Sequence, residues 1–313
     1  MGYYILRRIL ATIPVVVFVM VFIFSLLYIT PGDPAAILAG DQATQEEINF
    51  IRNELGLDRS FPVRFVEWSS GILQGDFGTS IFTRLPVAQM ILQRVEPTVS
   101  LMVVVLIMAI SVAVPLGVLA AWKHGSLLDR GIMLFAVLGF SVPVFVIGYV
   151  LAWFMGLQLG WLPVQGYVPL SKGFWLWLRM LLLPAATLAT FYVAIIARIT
   201  RAAMLEILLQ DYIRTARAKG LSEWAVLFIH GLRNASVPII TVIGIGIAVM
   251  ISGAVVIESV FALPGLGRLT VDSILRRDYP VIQAVILIFS FVYVLINLLI
   301  DLSYTLIDPR IRY

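Results

Sequence analysis

The chain has 313 residues, 61% of them hydrophobic and only 13% charged, with a mean hydropathy of +1.00. A soluble domain carries roughly 25% charged residues, so the composition excludes a water-soluble globular protein and points to an all-α polytopic membrane protein. The net charge of +4 reads as loop topology rather than affinity for nucleic acid, and the lack of cysteine excludes disulfide staples, thiolate chemistry and Cys-based metal sites.

Six charge-free runs mark candidate spans: Ile9–Gly32, Pro97–Trp122, Gly131–Ser171, Met180–Ala197, Asn234–Ile257 and Tyr279–Ile300. A helix needs about 20 apolar residues to cross the hydrocarbon core. Each run is about that long except the third, which holds one span plus a Gly-, Pro- and aromatic-rich outer loop. Arg7 and Arg8 precede the first run, and basic residues beside a span favour the cytoplasmic side. The first run is longer than a signal-peptide core and no A-x-A-like site follows it, so a retained signal-anchor helix is expected.

With the N-terminus inside, Lys123–Arg130, the six-cation segment Arg198–Arg233 and the tail with Arg310 and Arg312 are also inside. Thr30–Glu96, Gly156–Lys172 and Phe261–Pro280 are then outside. The last of these carries Arg268, Arg276 and Arg277 against the charge bias, partly offset by Asp272 and Asp278. The chain divides as 1–30 (N-terminus and first span), 31–96 (outer loop with short helices), 97–308 (spans two to six) and 309–313 (tail).

In the long outer loop, Thr44-Gln45-Glu46-Glu47 has the spacing of a capping box. Ile48, Ile51 and Leu55 follow on one helical face, and Gly56 suits the C-terminal stop. Pro62 is placed to open a second short helix carrying Val66 and Trp68. This loop reads as a cap on the span ends, with a docking surface for an outside partner as the sharper alternative.

Pro143 and Pro184 fall inside spans three and four, where each frees a backbone carbonyl and permits a kink. His124 and His230 are far apart and both fall in predicted loops, so no metal site is expected. Gly244 and Gly246 lie inside span five and suit close helix packing.

Between spans four and five, Arg201–Leu209 reads as helix. After a polar break, Asp211–Gly220 reads as a basic helical segment of about three turns, stopped by Gly220. Inside connections need only a few residues, and this one has over thirty. One reading lays it on anionic lipid, although no face is strongly apolar. The other makes it a short helix that enters a groove on a cytoplasmic partner and passes that partner's movement to the spans. Its candidate contact residues are Asp211, Arg214, Thr215, Ala216, Arg217, Lys219 and Gly220.

No G-x-x-x-x-G-K-[ST] phosphate cradle occurs, so nucleotide must be bound by other chains if ATP drives the system. Glu258, Asp301 and Asp308 lie near span ends and read as solvated interfacial carboxylates. No acidic residue occupies a span midplane, which argues against a proton relay or an acidic channel ring. Pro264-Gly265-Leu266-Gly267-Arg268 is a turn-forming run. It reads either as an ordinary loop or, with Glu258, as an outer loop whose residues Pro264, Gly265, Gly267 and Arg268 lie at a substrate entrance or at a partner's docking face.

Arg214-Thr215-Ala216, then Gly220 and Pro238, resembles the signature loop of ABC importer permeases. Where that family has Glu, this chain has Arg214, and Gly220 to Pro238 is longer than in the sugar-importer branch. Tyr212–Leu221 and Leu232–Pro238 resemble the peptide-importer branch instead. So do Pro31-Gly32-Asp33-Pro34, Pro264–Arg268, Arg277-Asp278-Tyr279-Pro280 and Asp308–Arg312. The resemblance covers essentially the whole chain and is to the B-type permease subunit of dipeptide, oligopeptide and glutathione importers.

That resemblance implies a type I importer permease fold of six transmembrane helices in the bacterial inner membrane. It implies a second homologous permease, two cytoplasmic ATPase subunits that hold ATP and Mg, and a periplasmic or lipid-anchored substrate-binding protein, with no catalysis by this chain. The alternative is a self-sufficient ion-coupled transporter or channel. A lipid-bound scaffold leaves the Pro-interrupted spans unexplained.

Overall fold

The computed structural model describes residues 2–29, 34–39, 43–54 and 56–307. Pro31–Asp33, Leu55, Asp308 and the tail with Arg310 and Arg312 lie outside the described residues. The elements are α1 (Gly2–Ile29), α2 (Pro34–Ala39), α3 (Gln45–Glu54), α4 (Phe61–Leu73), α5 (Val87–Trp122), α6 (Leu127–Ser141) and α7 (Val144–Leu151), which continues as a π-helical stretch, Ala152–Gln158. Then come α8 (Phe174–Leu208), α9 (Asp211–Ala218), a π-helical turn Ala225–Gly231, α10 (Leu232–Asn234), α11 (Ser236–Val260), α12 (Leu266–Arg276) and α13 (Tyr279–Ile307).

Among the described residues, α5, α8, α11 and residues 279–300 of α13 are each long and apolar enough to cross a membrane. The pair α6 and α7–158 is apolar enough together but bent by 103°. In α1 the described apolar stretch is Leu10–Ser25. An all-helical membrane protein is therefore observed, and these elements are consistent with six spans.

The break between α6 and α7 follows from Pro143. A residue before proline is pushed out of the helical region, and Val142 is extended at φ −85° and ψ 128°. The sequence allowed a kink here; the chain turns a corner instead. Pro184, by contrast, stays inside the continuous α8. Two boundaries also move. The second span begins at Val87, ten residues before Pro97, because Arg94 and Glu96 are carried on its first turns. Arg198 and Arg201, expected to open an inside loop, belong to α8.

The chain forms two compact units. One comprises residues 1–95 and 269–295, the other 96–268 and 296–313. In the first, Phe24 of α1 is buried against α4, with ring centroids 5.2 Å from Phe61, 5.6 Å from Phe65 and 5.3 Å from Trp68. Thr44 and Glu47 close the expected capping box. Glu47 Oε2 accepts from the Thr44 N–H at 2.8 Å, and the Glu47 N–H donates to Thr44 Oγ1 at 3.3 Å. The bond from the Thr44 backbone, then that from its hydroxyl, holds the Glu47 carboxyl below its usual range. Pro62 stands in the first turn of α4, as the sequence indicated. Asp278 is buried and accepts from Ser80 Oγ at 2.5 Å and from the Ile81 N–H at 3.1 Å.

In the second unit α8 is the central helix. Leu181, Leu188, Tyr192 and Ile196 pack in one buried cluster with Leu101 and Val105 of α5 and Met250 and Ile257 of α11. Gly244 leaves room for Ile300, whose side chain would meet any Cβ there at 2.5 Å. At the α8 start, Glu96 accepts from Tyr167 Oη at 3.0 Å and from the Leu170 N–H at 2.9 Å, which ties the 159–173 loop to α5.

At the other end of the same unit Asp129, 3% exposed, accepts from Arg201 Nε at 2.5 Å and Nη2 at 2.8 Å. It also accepts from the Gly125 N–H at 2.9 Å, and His124 Nδ1 lies 3.0 Å from Arg201 Nη2. This two-pronged pair ties the α5–α6 turn to α8. Removing one partner of a buried pair typically costs about 3–5 kcal/mol, because the other charge is left uncompensated. Arg201→Gln is expected to lower the Tm of the detergent-purified protein clearly, and Asp129→Asn/Arg201→Gln to recover part of that loss.

Candidate coupling site and buried carboxylate clamp

Helix α9 is two turns long rather than the expected three, and its ends are defined by backbone chemistry. Its start is Gln210, extended at ψ 148°, whose carbonyl accepts from the Ile213 N–H at 3.1 Å. Its end is a two-bond stop. The Leu221 N–H donates to the Ala216 carbonyl at 3.3 Å, and the Gly220 N–H to that of Arg217 at 3.0 Å. The turn needs a left-handed residue, and Gly220 supplies it at φ +77°.

The helix is amphipathic, with a buried face where no strongly apolar one was expected. Ile213 is fully buried and Ala216 is 7% exposed, and both cluster with Val226 of the π-helical turn. Ile207 and Leu208 at the end of α8 pack against the same cluster. Fully burying an isoleucine side chain is worth about 1.5–3 kcal/mol, enough to hold so short a helix in place. Of the expected contact residues, Ala216 therefore faces inward. Asp211, Arg214, Thr215, Arg217, Lys219 and Gly220 are exposed.

Two ion pairs decorate this region. Arg217 Nε donates to Glu223 Oε1 at 2.9 Å and spans the stop, while Arg214 lies 3.5 Å from Asp211. Both are solvent-exposed, so each adds at most about 1 kcal/mol. The segment after α9 is not the expected loop. It is helical through Ala225–Asn234, and His230 is part of that helix, its carbonyl accepting from Asn234 Nδ2 at 2.7 Å. Among the described residues no group of three His, Cys, Asp or Glu is arranged to hold a metal ion.

The second site is at the opposite end of α11. Glu258, expected as a solvated interfacial carboxylate, is completely buried. Its Oε1 accepts from Thr98 Oγ1 at 2.6 Å and its Oε2 from the Arg268 N–H at 2.9 Å. Thr98 Oγ1 in turn accepts from the Leu266 N–H at 2.8 Å, and the Glu258 carbonyl accepts from the Leu263 N–H at 2.9 Å.

One carboxylate thus gathers the start of α5, the end of α11 and the first turn of α12. Oxygens receiving backbone N–H groups at a helix start are favourably placed. The approach depends on two glycines. A Cβ on Gly265 would fall on the Glu258 carboxylate itself, and one on Gly267 would lie 2.5 Å from Val255 Cα.

The structure therefore brings Glu258, Gly265, Gly267 and the Arg268 backbone together, and leaves Pro264 exposed at the turn. The expected outer loop is mostly helix α12. Thr98 and the pair Asp129–Arg201 were not anticipated. Ser126, three residues before Asp129, offered a local capping signal for the second, and its Oγ accepts from the Asp129 N–H at 3.3 Å. No local pattern marks Thr98.

Residues 113–313 match the family described as binding-protein-dependent transport system inner membrane component, and residues 1–103 match the N-terminal region of such membrane components. The chain is 56% identical over the full length of both proteins to a probable peptide ABC transporter permease protein of Sinorhizobium fredii. It is 45% identical over 309 residues to a putative peptide transport system permease protein of Brucella abortus, covering 99% of this chain and 98% of the relative. It is 42% identical over 310 residues to a glutathione transport system permease protein of Salmonella typhi, covering 99% of each. The chain belongs to the family of inner-membrane components of binding-protein-dependent transport systems.

Proposed function

We propose that the chain is one of two permease subunits of an ATP-driven importer and forms half of a pathway for short peptides delivered by a substrate-binding protein. The names of its relatives support a dipeptide-, oligopeptide- or glutathione-like cargo. Two cytoplasmic ATPase subunits hold ATP and Mg, and a second homologous permease completes the pathway. Both termini and α9 face the cytoplasm, in keeping with Arg7, Arg8 and the cations of 198–233.

The observation that carries this reading is α9. It is a short helix with a buried inner face on the end of α8 and an outer face of Asp211, Arg214, Thr215, Arg217 and Lys219. A helix so seated transmits a push as a rigid piece. ATPase closure moves α9, and α8 and α11 move with it to alternate access to the pathway. At the other end, Glu258, Pro264, Gly265, Gly267 and Arg268 form the outer turn at the pathway entrance.

Replacing Gly220 with Val forces a β-branched residue into the left-handed region. In the reconstituted transporter this substitution is expected to leave membrane insertion intact and to sever ATP hydrolysis from uptake, lowering the uptake-to-hydrolysis ratio at least tenfold. An unchanged ratio contradicts the role given to α9.

The burial of Glu258 gives the ion-coupled alternative one specific point of support, since buried membrane carboxylates often carry protons. Its partners favour a structural clamp, because two donors already converge on the carboxylate. Glu258→Gln keeps the shape but offers one acceptor fewer, a loss of about 1–3 kcal/mol for a buried group. The clamp predicts a lower Tm with ATP-dependent uptake retained, and failed assembly for Gly265→Val. Proton-driven uptake in wild-type chain alone, abolished by Glu258→Gln without loss of Tm, supports the ion-coupled reading instead.

A further inference from the structure

A groove of about 100 Å³ lies between α6 and α8, lined by Ala136, Val137, Phe140, Ser141, Ala194 and Arg198. Apart from Arg198 and the rim hydroxyl of Ser141, its side chains are hydrocarbon. The Ser141 hydroxyl is turned back onto the Val137 carbonyl at 2.8 Å. Arg198 is exposed and makes no hydrogen bond or ion pair with the described residues. Its neighbour one turn along α8, Arg201, is fully engaged by Asp129.

Arg198 stands on α8 one turn before Arg201 and lines the groove beside Ala136. Ala136 stands nine residues beyond the start of α6, about 14 Å along the helix. A guanidinium beside so apolar a lining is favoured by an anionic partner, and among the described residues none meets it. A flexible side chain can extend toward the membrane surface while its stem stays in hydrocarbon. Here that surface is the end of the span where Asp129 and Arg201 meet. The exposed face of α6, with Leu134, Val137 and Phe140, continues the apolar wall.

An occupant must therefore be apolar along the groove and anionic at its mouth. Pockets for small-molecule ligands run to about 300–1,000 Å³ and set a few convergent polar groups in an apolar lining. This one is smaller and offers a single cation. A guanidinium is well matched to phosphate oxygens, which it meets through paired N–H donors.

We propose that this groove binds one anionic phospholipid of the leaflet nearest the α5–α6 turn. An acyl chain lies along Ala136, Val137, Phe140 and Ala194, and the phosphate rests on Arg198. The lipid seats beside the α6–α8 contact, one turn from the Asp129–Arg201 pair.

The test is lipid retention by the complete purified transporter. Complexes are exchanged into equal phosphatidylglycerol and phosphatidylethanolamine, and bound lipids are counted by native mass spectrometry. Wild type is expected to prefer phosphatidylglycerol by at least tenfold at one site. Arg198→Gln should lose that preference, Arg198→Lys keep part of it, and Arg233→Gln, which removes an exposed cation away from the groove, leave it intact. Ser141→Trp fills the groove from its exposed rim with Arg198 unchanged, and should weaken retention in a complex that assembles normally. Equal retention in wild type and Arg198→Gln overturns the proposal. So does unchanged retention accompanied by selective loss of uptake for peptides with a free C-terminal carboxylate, which would assign Arg198 to the cargo.

Discussion

Three buried side chains, Ile213, Ala216 and Val226, seat the short helix α9 on the rest of its unit. An eight-residue helix is far too short to be stable alone, since nucleation is unfavourable and isolated helices of under about 12 residues are marginal in water. Its order comes from tertiary contact. Ile213 locks it to Ile207 and Leu208 on the end of α8 and to Val226 on the turn that leads into α11. The Gly220 stop then directs the chain back toward that turn. Because α8 is also the central helix of its unit, α9 is joined to the most heavily packed element of the fold.

The opposite end of α11 is held by different physics. There the tie is polar and convergent, with the buried Glu258 accepting from Thr98 and from the backbone of Arg268. Low dielectric strengthens such bonds and penalises any that break. The arrangement is therefore stable only when complete, which suits a corner that must keep its shape. Gly265 and Gly267 are part of the clamp because they have no Cβ to obstruct it. A hydrophobic seat at one end of α11 and a hydrogen-bonded corner at the other give that helix two fixed points.

Much of this was legible in sequence where the determinant is local. Thr44–Glu47 closes its capping box because both partners lie within one turn; Pro62 fixes its own φ and Gly220 permits a positive one. Where charges ride on a helix, a charge-free criterion cut the element short. Arg94 and Glu96 hid the start of α5, and Arg198 and Arg201 hid the last turns of α8. The environment of Glu258 could not be read locally, because its partner Thr98 is 160 residues away. Asp129 and Arg201 are 72 residues apart, and the cap at Ser126 marks the turn without naming the partner. Pro143 announced a disturbance, but its size, a 103° bend, depends on how α7 packs against α8 and α11.

For α9 to transmit movement, it and α8 must move as one body. The chain has no cysteine, so paired spin labels can be placed at Ala202 and Lys219, both exposed, with cysteines removed only from the partner subunits. Double electron–electron resonance on the assembled transporter then gives the distance across the junction with and without ATP. The account predicts one narrow distribution, unchanged by nucleotide, while labels between the two permeases shift. A distance across the junction that broadens or moves when ATP binds would contradict it.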